Sequence, residues 1–493
     1  MQKQPNDSCT VQIIRPHKTL LVILSVGALC GALMWVMPSE GIPLFGSKLT
    51  FKTWKSFTDT TNTNKIEDVG AYLSQLDSLA SDSLMSDSAK VLNVDRLNSI
   101  TSIQFKDHNS SSLFPFFEAL EKAKSEGFNF HILHYGDSQI ESDRMTSLLR
   151  QKWQEEFGGS GPGLVAPVPI TASANISQSQ SGNWKRYTAY GFDDGKVTHS
   201  HYGALCSFGR FSPPLPKEQI NTADTLEGWI EFRPSGMAQG NCKRYTKATM
   251  YFGYHQYPVT IQLMLNDSVI ESKTFEASNT LLSHTWNLGY TPSKLKFVFK
   301  GVDSPEVQNI LLQGASGVMV DNIALRGSSG TVFKKLASSD LSKTYADMNP
   351  QLVILQFGGN SVPYVTDAKA AKAYGNYFQA QIQYLKKLLP NASFLVIGPS
   401  DMSTSIDGVY QSWAGVSLVR DAMKEAAFAE NCGFWDMYEV MGGKNSMVSW
   451  VTNNPPYAGP DYTHFTPLGA RKMAELLYKS IHKEYEMWKA EVQ

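Results

Sequence analysis

HYGDSQIESDR, residues 134–144, begins where the apolar run FNFHIL (128–133) ends. Ahead of that run, LFPFFEALEKAKSE (113–126) repeats its apolar residues at helical spacing, and Gly127 stops it. Behind the motif, DRMTSLLRQKWQEEF (143–157) sets Met145, Leu148, Leu149 and Trp153 on one helical face. The pattern predicts helix, buried strand, sharp turn, helix, with Gly136-Asp137-Ser138 at the turn. Asp-Ser before a helix is an ordinary capping pair. A serine there also exposes its hydroxyl and its backbone N–H together, which is what a nucleophile requires.

Outward from this unit the texture changes twice. From about 166 to 318 helical periodicity gives way to short alternating runs such as TLEGWIEFR, ATMYFGY, VTIQLML and KLKFVFK, separated by turn residues. This is a β-sandwich pattern. After 318, strands alternate with helices again: GVMVDNIAL, QLVILQF (351–357) and SFLVIGP (393–399), with helices near 367–389, 415–430 and 467–489. Strand–helix alternation argues for a parallel sheet covered on both faces. The sandwich therefore reads as an insertion into one α/β domain. GGSGPG (158–163) reads as a helix stop and turn.

A nucleophilic serine needs a base, and Asp461 and His464 stand three apart just before the last helix. An aspartate at that distance can orient an imidazole while it takes the serine proton. The oxyanion formed by attack needs donors. LQFGGNSV (355–362) ends a strand in Gly358-Gly359-Asn360, whose side-chain amide supplies N–H groups. DNIALRGSSG (321–330) ends another at Gly327, where bare backbone can approach a substrate.

These blocks, in this order, resemble those of the SGNH, or GDSL-type, hydrolases. The motif Gly136-Asp137-Ser138 stands first, followed by the block at Gly327, then Gly358-Gly359-Asn360, then Asp461-Tyr462-Thr463-His464. The resemblance covers roughly 110–165 and 319–490. It implies a flavodoxin-like three-layer α/β/α fold and a serine esterase. Ser138 would be the nucleophile, His464 the base and Asp461 its partner. The oxyanion hole would be the N–H groups of Ser138 and Gly327 with the Asn360 side chain. The Gly-x-Ser-x-Gly elbow of the common α/β-hydrolases is absent. About 190 residues separate Ser138 from Gly327. An insertion there is similar to the peptidoglycan O-acetylesterase branch, in which a carbohydrate-binding-like module interrupts the hydrolase. The expected substrate is an O-acetylated glycan, and no cofactor or metal is implied.

The rest of the chain bounds this reading. Its 493 residues suggest several domains, and a formal net charge of -1 gives no reason to expect a nucleic-acid partner. The run TLLVILSVGALCGALMWVM (19–37) is uncharged and long enough to span a bilayer. Arg15, His17 and Lys18 precede it, so residues 1–18 are expected in the cytoplasm and the rest on the periplasmic or other outer side of the inner membrane. A cleaved signal peptide is the rival, but no small-x-small site follows the apolar core. Residues 38–108, rich in Ser, Asp, Thr and Asn, read as a stalk. The expected layout is thus a tail at 1–18, an anchor at 19–37, the stalk, hydrolase at 109–165, sandwich at 166–318 and hydrolase again at 319–493. Cys206 and Cys242 fall in the sandwich, where a disulfide between them is open. Trp184, Tyr187, Tyr190 and Tyr202 are candidates to stack on sugar rings, against the commoner fate of aromatics as core. Two histidines in HSH (199–201) lack an evident third metal ligand. An acetyltransferase with the same triad and a non-catalytic glycan-binding protein are the alternatives.

Overall fold

The computed structural model describes residues 20–21, 23–29, 32, 42–44, 47–49, 66, 68–79, 99–191, 195 and 197–492. The chain divides into a unit of Lys65–Ser403 with Ser412–Gln493 and a unit of Met1–Asn64 with Thr404–Gln411. The larger unit is built on five strands: β1 (Asn129–Gly136), β2 (Gly317–Ala324), β3 (Pro350–Gln356), β4 (Ser393–Ile397) and β5 (Gly433–Trp435). They pair in the order β2-β1-β3-β4-β5, and every pair is parallel. This order is the flavodoxin-like one, whose ligand crevice lies at the carboxyl ends of β1 and β3.

A strand in the middle of such a sheet must be apolar on both faces. In β1, Phe130 and Ile132 enter one core, and Leu133 and Tyr135 the other. The first core is closed by α1 (Phe114–Glu126), α2 (Thr146–Phe157) and the last helix Pro467–Val492. Gly127, left-handed at φ 67°, ends α1 and turns the chain into β1. The second core receives helices Ser338–Met348, Ala368–Leu388 and Gly415–Ala429.

Between α2 and β2 the chain leaves the sheet and builds two antiparallel sheets. One holds strands Ile176–Gln180, Leu226–Pro234, Leu295–Gly301, Val259–Leu265 and Ser268–Phe275. The other holds Lys185–Thr188, Ser207–Arg210, Glu306–Gln313, Lys247–His255 and Ser278–Asn287, with Gly163–Val165 added beside Glu306–Gln313. The path from α2 into the sandwich is glycine-rich for a steric reason. Gly159 and Gly163 have φ of 112° and 81°, and a Cβ on either would lie 2.4 Å from Val318 O or Asp321 Oδ1 of β2.

Several expectations need correction. The helix after Ser138 does not begin at once: residues Ser138–Asp143 form a 3-10 segment broken at Glu141 and Ser142, and α2 starts at Thr146. The stretch 38–108 is not all stalk. Its helix Val69–Leu79 buries Val69, Leu73 and Leu76 in the first core, and Gln104 bridges to Phe434 of β5. Spacing of four and then three residues between the three aliphatic side chains was enough for a helical stripe inside a polar composition. Cys206 and Cys242 are buried and unpaired. No helix among the described residues is long and apolar enough to cross a membrane. Of the expected span 19–37, residues 20–21, 23–29 and 32 are helical and exposed, and the others lie outside the described residues.

Candidate active site

Ser138 is the first residue past β1 and its Asp137 cap. The Asp137 side chain accepts from the N–H of Gln139 at 3.0 Å, which fixes the turn. His464 arrives from the other end of the chain in a tight loop, where Gly459 N–H donates to His464 O at 2.7 Å and Tyr462 takes φ 54°. Ser138 Oγ lies 2.7 Å from His464 Nε2, and His464 Nδ1 lies 2.7 Å from Asp461 Oδ2. With Nδ1–H donating to the carboxylate, Nε2 is left as the acceptor for the serine proton. The other oxygen of Asp461 accepts the N–H groups of Thr463 and His464 at 3.1 and 3.0 Å. Burial pushes the Asp461 carboxyl up, but those amides and the imidazole outweigh it and hold it below its ordinary value. It therefore stays ionised and keeps the imidazole in place.

Gln139 joins the two loops and is a residue the sequence reading missed. Its amide nitrogen donates to Thr463 O at 2.6 Å and to Ser400 Oγ at 3.3 Å, while its oxygen accepts the Phe465 N–H at 3.3 Å. Its only advance signal was adjacency to Ser138. The pair Glu141–Arg326 was also missed. Arg326 Nε and Nη2 each reach a Glu141 carboxylate oxygen at 2.6 Å, a fork that ties the turn after β1 to the turn after β2.

A pocket of about 210 Å³ collects Ser138, Asn360 and His464 in its wall, together with Phe357, Met402 and Met437. Asp461 stands behind His464. The Asn360 amide nitrogen donates to Ser328 O at 3.1 Å and to Asp137 Oδ2 at 3.3 Å. Burial pushes Asp137 up to about 6, against the lowering influence of the Gln139 N–H and His464. Gly327 is not in this wall. It is exposed at φ 79° in the turn closed by Ser328 N–H to Leu325 O at 2.9 Å, one residue before the carbonyl that Asn360 engages.

The four candidate aromatics separate. Trp184 and Tyr187 are 6% exposed and cannot stack on a ligand: Trp184 packs on Phe211 and Phe299, Tyr187 on Phe208. Trp184 stands just before the strand Lys185–Thr188 and Tyr187 within it, and the aromatic neighbours of each take up its ring. Tyr190 is half-buried with its hydroxyl 3.2 Å from Arg186, and Tyr202 is half-buried against His199 and Phe208. The HSH histidines pair with separate carboxylates, His199 with Glu306 at 2.9 Å and His201 with Asp340 at 3.5 Å. Among the described residues, Glu156, His482 and Glu486 have potential metal-ligand atoms within 4.8 Å of one another, and none of them lines the pocket.

Comparison with known proteins agrees with this geometry. Residues 291–477 match the family model of the GDSL-like lipase/acylhydrolases. The match begins after Ser138 because the sandwich separates the nucleophile turn from the later blocks. No protein of curated function matches the sequence. A solved peptidoglycan O-acetylesterase superposes with a TM-score of 0.59 at 20% identity, covering 77% of this chain and 98% of its own. An acetyl xylan esterase matches 33% of this chain and 81% of its own, at 20% identity and a TM-score of 0.24. A family two carbohydrate esterase from Clostridium thermocellum matches 62% and 99%, at 11% identity and a TM-score of 0.24. The first of these shares the fold. By its ordered blocks, its parallel sheet and the match over residues 291–477, the chain carries a GDSL-like lipase/acylhydrolase domain and is a hydrolase.

Proposed function

We propose that the chain removes O-acetyl groups from a polysaccharide. The observation that carries this is the 2.7 Å contact of Ser138 with His464 at the wall of a pocket of only about 210 Å³. Small-ligand sites run from about 300 Å³ upward, so this one takes a short acyl group and leaves the rest of the substrate outside. The fold shared with a peptidoglycan O-acetylesterase supports an acetylated glycan as that substrate.

Ser138 Oγ attacks the ester carbonyl as its proton passes to His464 Nε2. Asp461 stabilises the resulting imidazolium. The oxyanion is received by the Ser138 N–H and by the Asn360 amide, which gives up its 3.3 Å contact with Asp137. Collapse breaks the bond to the sugar oxygen, which takes the proton from His464 and leaves acetyl-Ser138. Water then gives a proton to His464 and attacks the acyl-enzyme. Acetate leaves and Ser138 regains its proton. The apolar run at 19–37, preceded by Arg15, His17 and Lys18, supports an anchored chain with the hydrolase on the outer side of the membrane.

The test is acetate release from O-acetylated peptidoglycan and from acetylated xylan, with Ser138→Ala as control. The variant should keep the parent's melting temperature and lose turnover on the order of 10⁴-fold or more. Residual activity within a few-fold of the parent would remove Ser138 from the mechanism.

A further inference from the structure

A second cavity, of about 290 Å³, lies where the sandwich meets the hydrolase sheet. Glu141 and Ser142, from the turn after Ser138, form one part of its wall. Asn322 and Ala324 of β2 form another, and Gln178 and Arg186 of the sandwich a third. Ala324 stands opposite Gly136 in the strand register, so this wall belongs to the same carboxyl edge that carries Ser138. The volume is near the lower end of small-ligand sites, about 300 Å³, and suits one sugar unit. Ile170 and Met237, 40% and 66% exposed, add apolar surface for a ring face.

Its charges are unevenly satisfied. Glu141 is held by the Arg326 fork, with Arg144 at 3.9 Å. Asp143 accepts from Arg150 at 3.2 Å, and from Thr146 and Ser173. Arg186 has no carboxylate at ion-pair distance among the described residues. Its Nη1 donates to Val168 O at 3.4 Å and its Nη2 to the Tyr190 hydroxyl at 3.2 Å, while its buried Nε has no partner. The Oδ1 of Asn322, in the same wall, is also buried and unpartnered. A half-buried cation with an unmade hydrogen bond carries a desolvation cost that a ligand anion would offset.

We propose that this cavity binds a carboxylate-bearing sugar unit of the glycan, with Arg186 receiving the carboxylate. The inference rests on the reading of the chain as a glycan O-acetylesterase. A planar carboxylate matches the guanidinium edge, and a sugar hydroxyl can donate to Asn322 Oδ1. A neutral unit would leave Arg186 without a counter-ion.

The experiment compares acetate release from O-acetylated oligogalacturonate and from O-acetylated peptidoglycan strands. Each is used as the free acid and after its carboxylates are methyl-esterified. The parent should lose about tenfold or more in kcat/KM on esterification of at least one of them, mainly through KM. Arg186→Gln should remove that discrimination, Arg186→Lys should keep part of it, and p-nitrophenyl acetate turnover should stay near the parent's in both. Equal rates on free acid and ester for both glycans overturn the proposal, and this arm requires no variant. Retained discrimination in a folded Arg186→Gln overturns the assignment to Arg186. Turnover of the small ester with no acetate from any glycan would instead overturn the glycan reading itself, and this proposal with it.

Discussion

The Ser138–His464–Asp461 line is assembled from pieces whose local chemistry is complete over a few residues. Asp461 takes the N–H groups of Thr463 and His464 from within its own loop, and Asp137 caps its own turn. That is why both motifs were legible in sequence. Gln139 and the Glu141–Arg326 fork were not, because their partners are 324 and 185 residues away. Whether Trp184 and Tyr187 would face a ligand or the core stayed open in sequence, because composition does not say which aromatic side chains a fold buries. Asp401 offers a test of electrostatics at this scale. It is fully buried, accepting from Ser412 Oγ at 2.6 Å and Met447 N–H at 2.8 Å, and burial pushes its pKa up to about 6. Between the unfolded value, near 3.9, and about 6, the native state holds a proton that the unfolded chain has lost. The contribution of Asp401 to stability is therefore fully present at low pH and declines as pH rises through this window. Asp401→Asn does not titrate. Whatever its offset from altered hydrogen bonds, its melting temperature should gain on the parent's from pH 4 to pH 6.5. A difference that stays flat across that range would show that Asp401 is not desolvated as the structure has it.

Elements with a strong period were also read well: α1, the sandwich strands and the three later helices lie where the apolar spacing put them. The three-residue strand β5 was too short to show a period, and the helix Val69–Leu79 was hidden by its polar neighbours. That helix is a working part of the hydrolase. Besides its three buried aliphatics, Asp77 receives Lys479 of the last helix at 2.5 Å. Burying each aliphatic side chain is worth about 1.5–3 kcal/mol. A chain of residues 65–493 should thus melt several degrees above one of residues 98–493, measured by calorimetry; equal values would make the helix an ornament. The turn at Gly327 depends on a different tie. Glu141→Gln removes the charge that holds the Arg326 fork, and the loosened turn should lower kcat on p-nitrophenyl acetate by about tenfold with a small change in KM. If kcat is unchanged, the fork does not position the donors. A fall in KM affinity alone would place its role in binding.

At the scale of the molecule, the insertion was legible as a change of texture but its union with the hydrolase was not. Sequence suggested a module strung between two halves. The structure merges them: Leu164, Leu205, Tyr251, Leu281 and Leu311 of the insertion share one core with Leu133, Tyr135, Leu341 and Met348 of the α/β layers. Polar contacts cross the same boundary. The Tyr135 hydroxyl donates to Ala204 O at 3.1 Å, Tyr254 to Asp340 at 2.6 Å, and His131 lies 3.0 Å from Gln313. Separating the two would expose apolar surface on both sides and break these hydrogen bonds, each worth about 0.5–1.5 kcal/mol net. Neither part is then stable alone, and the larger unit should unfold in one step. Its free buried thiols provide local probes, since Cys242 lies in the insertion and Cys432 beside β5. In rising urea, both should become reactive to a thiol reagent with the same midpoint, read peptide by peptide in a mass spectrometer, and loss of esterase activity should follow that midpoint. Labelling of Cys242 at clearly lower urea, with Cys432 still protected and activity retained, would show the sandwich to be a separable module. The shared core would then contribute little to holding Arg186 and Tyr190 beside the carboxyl edge of the sheet.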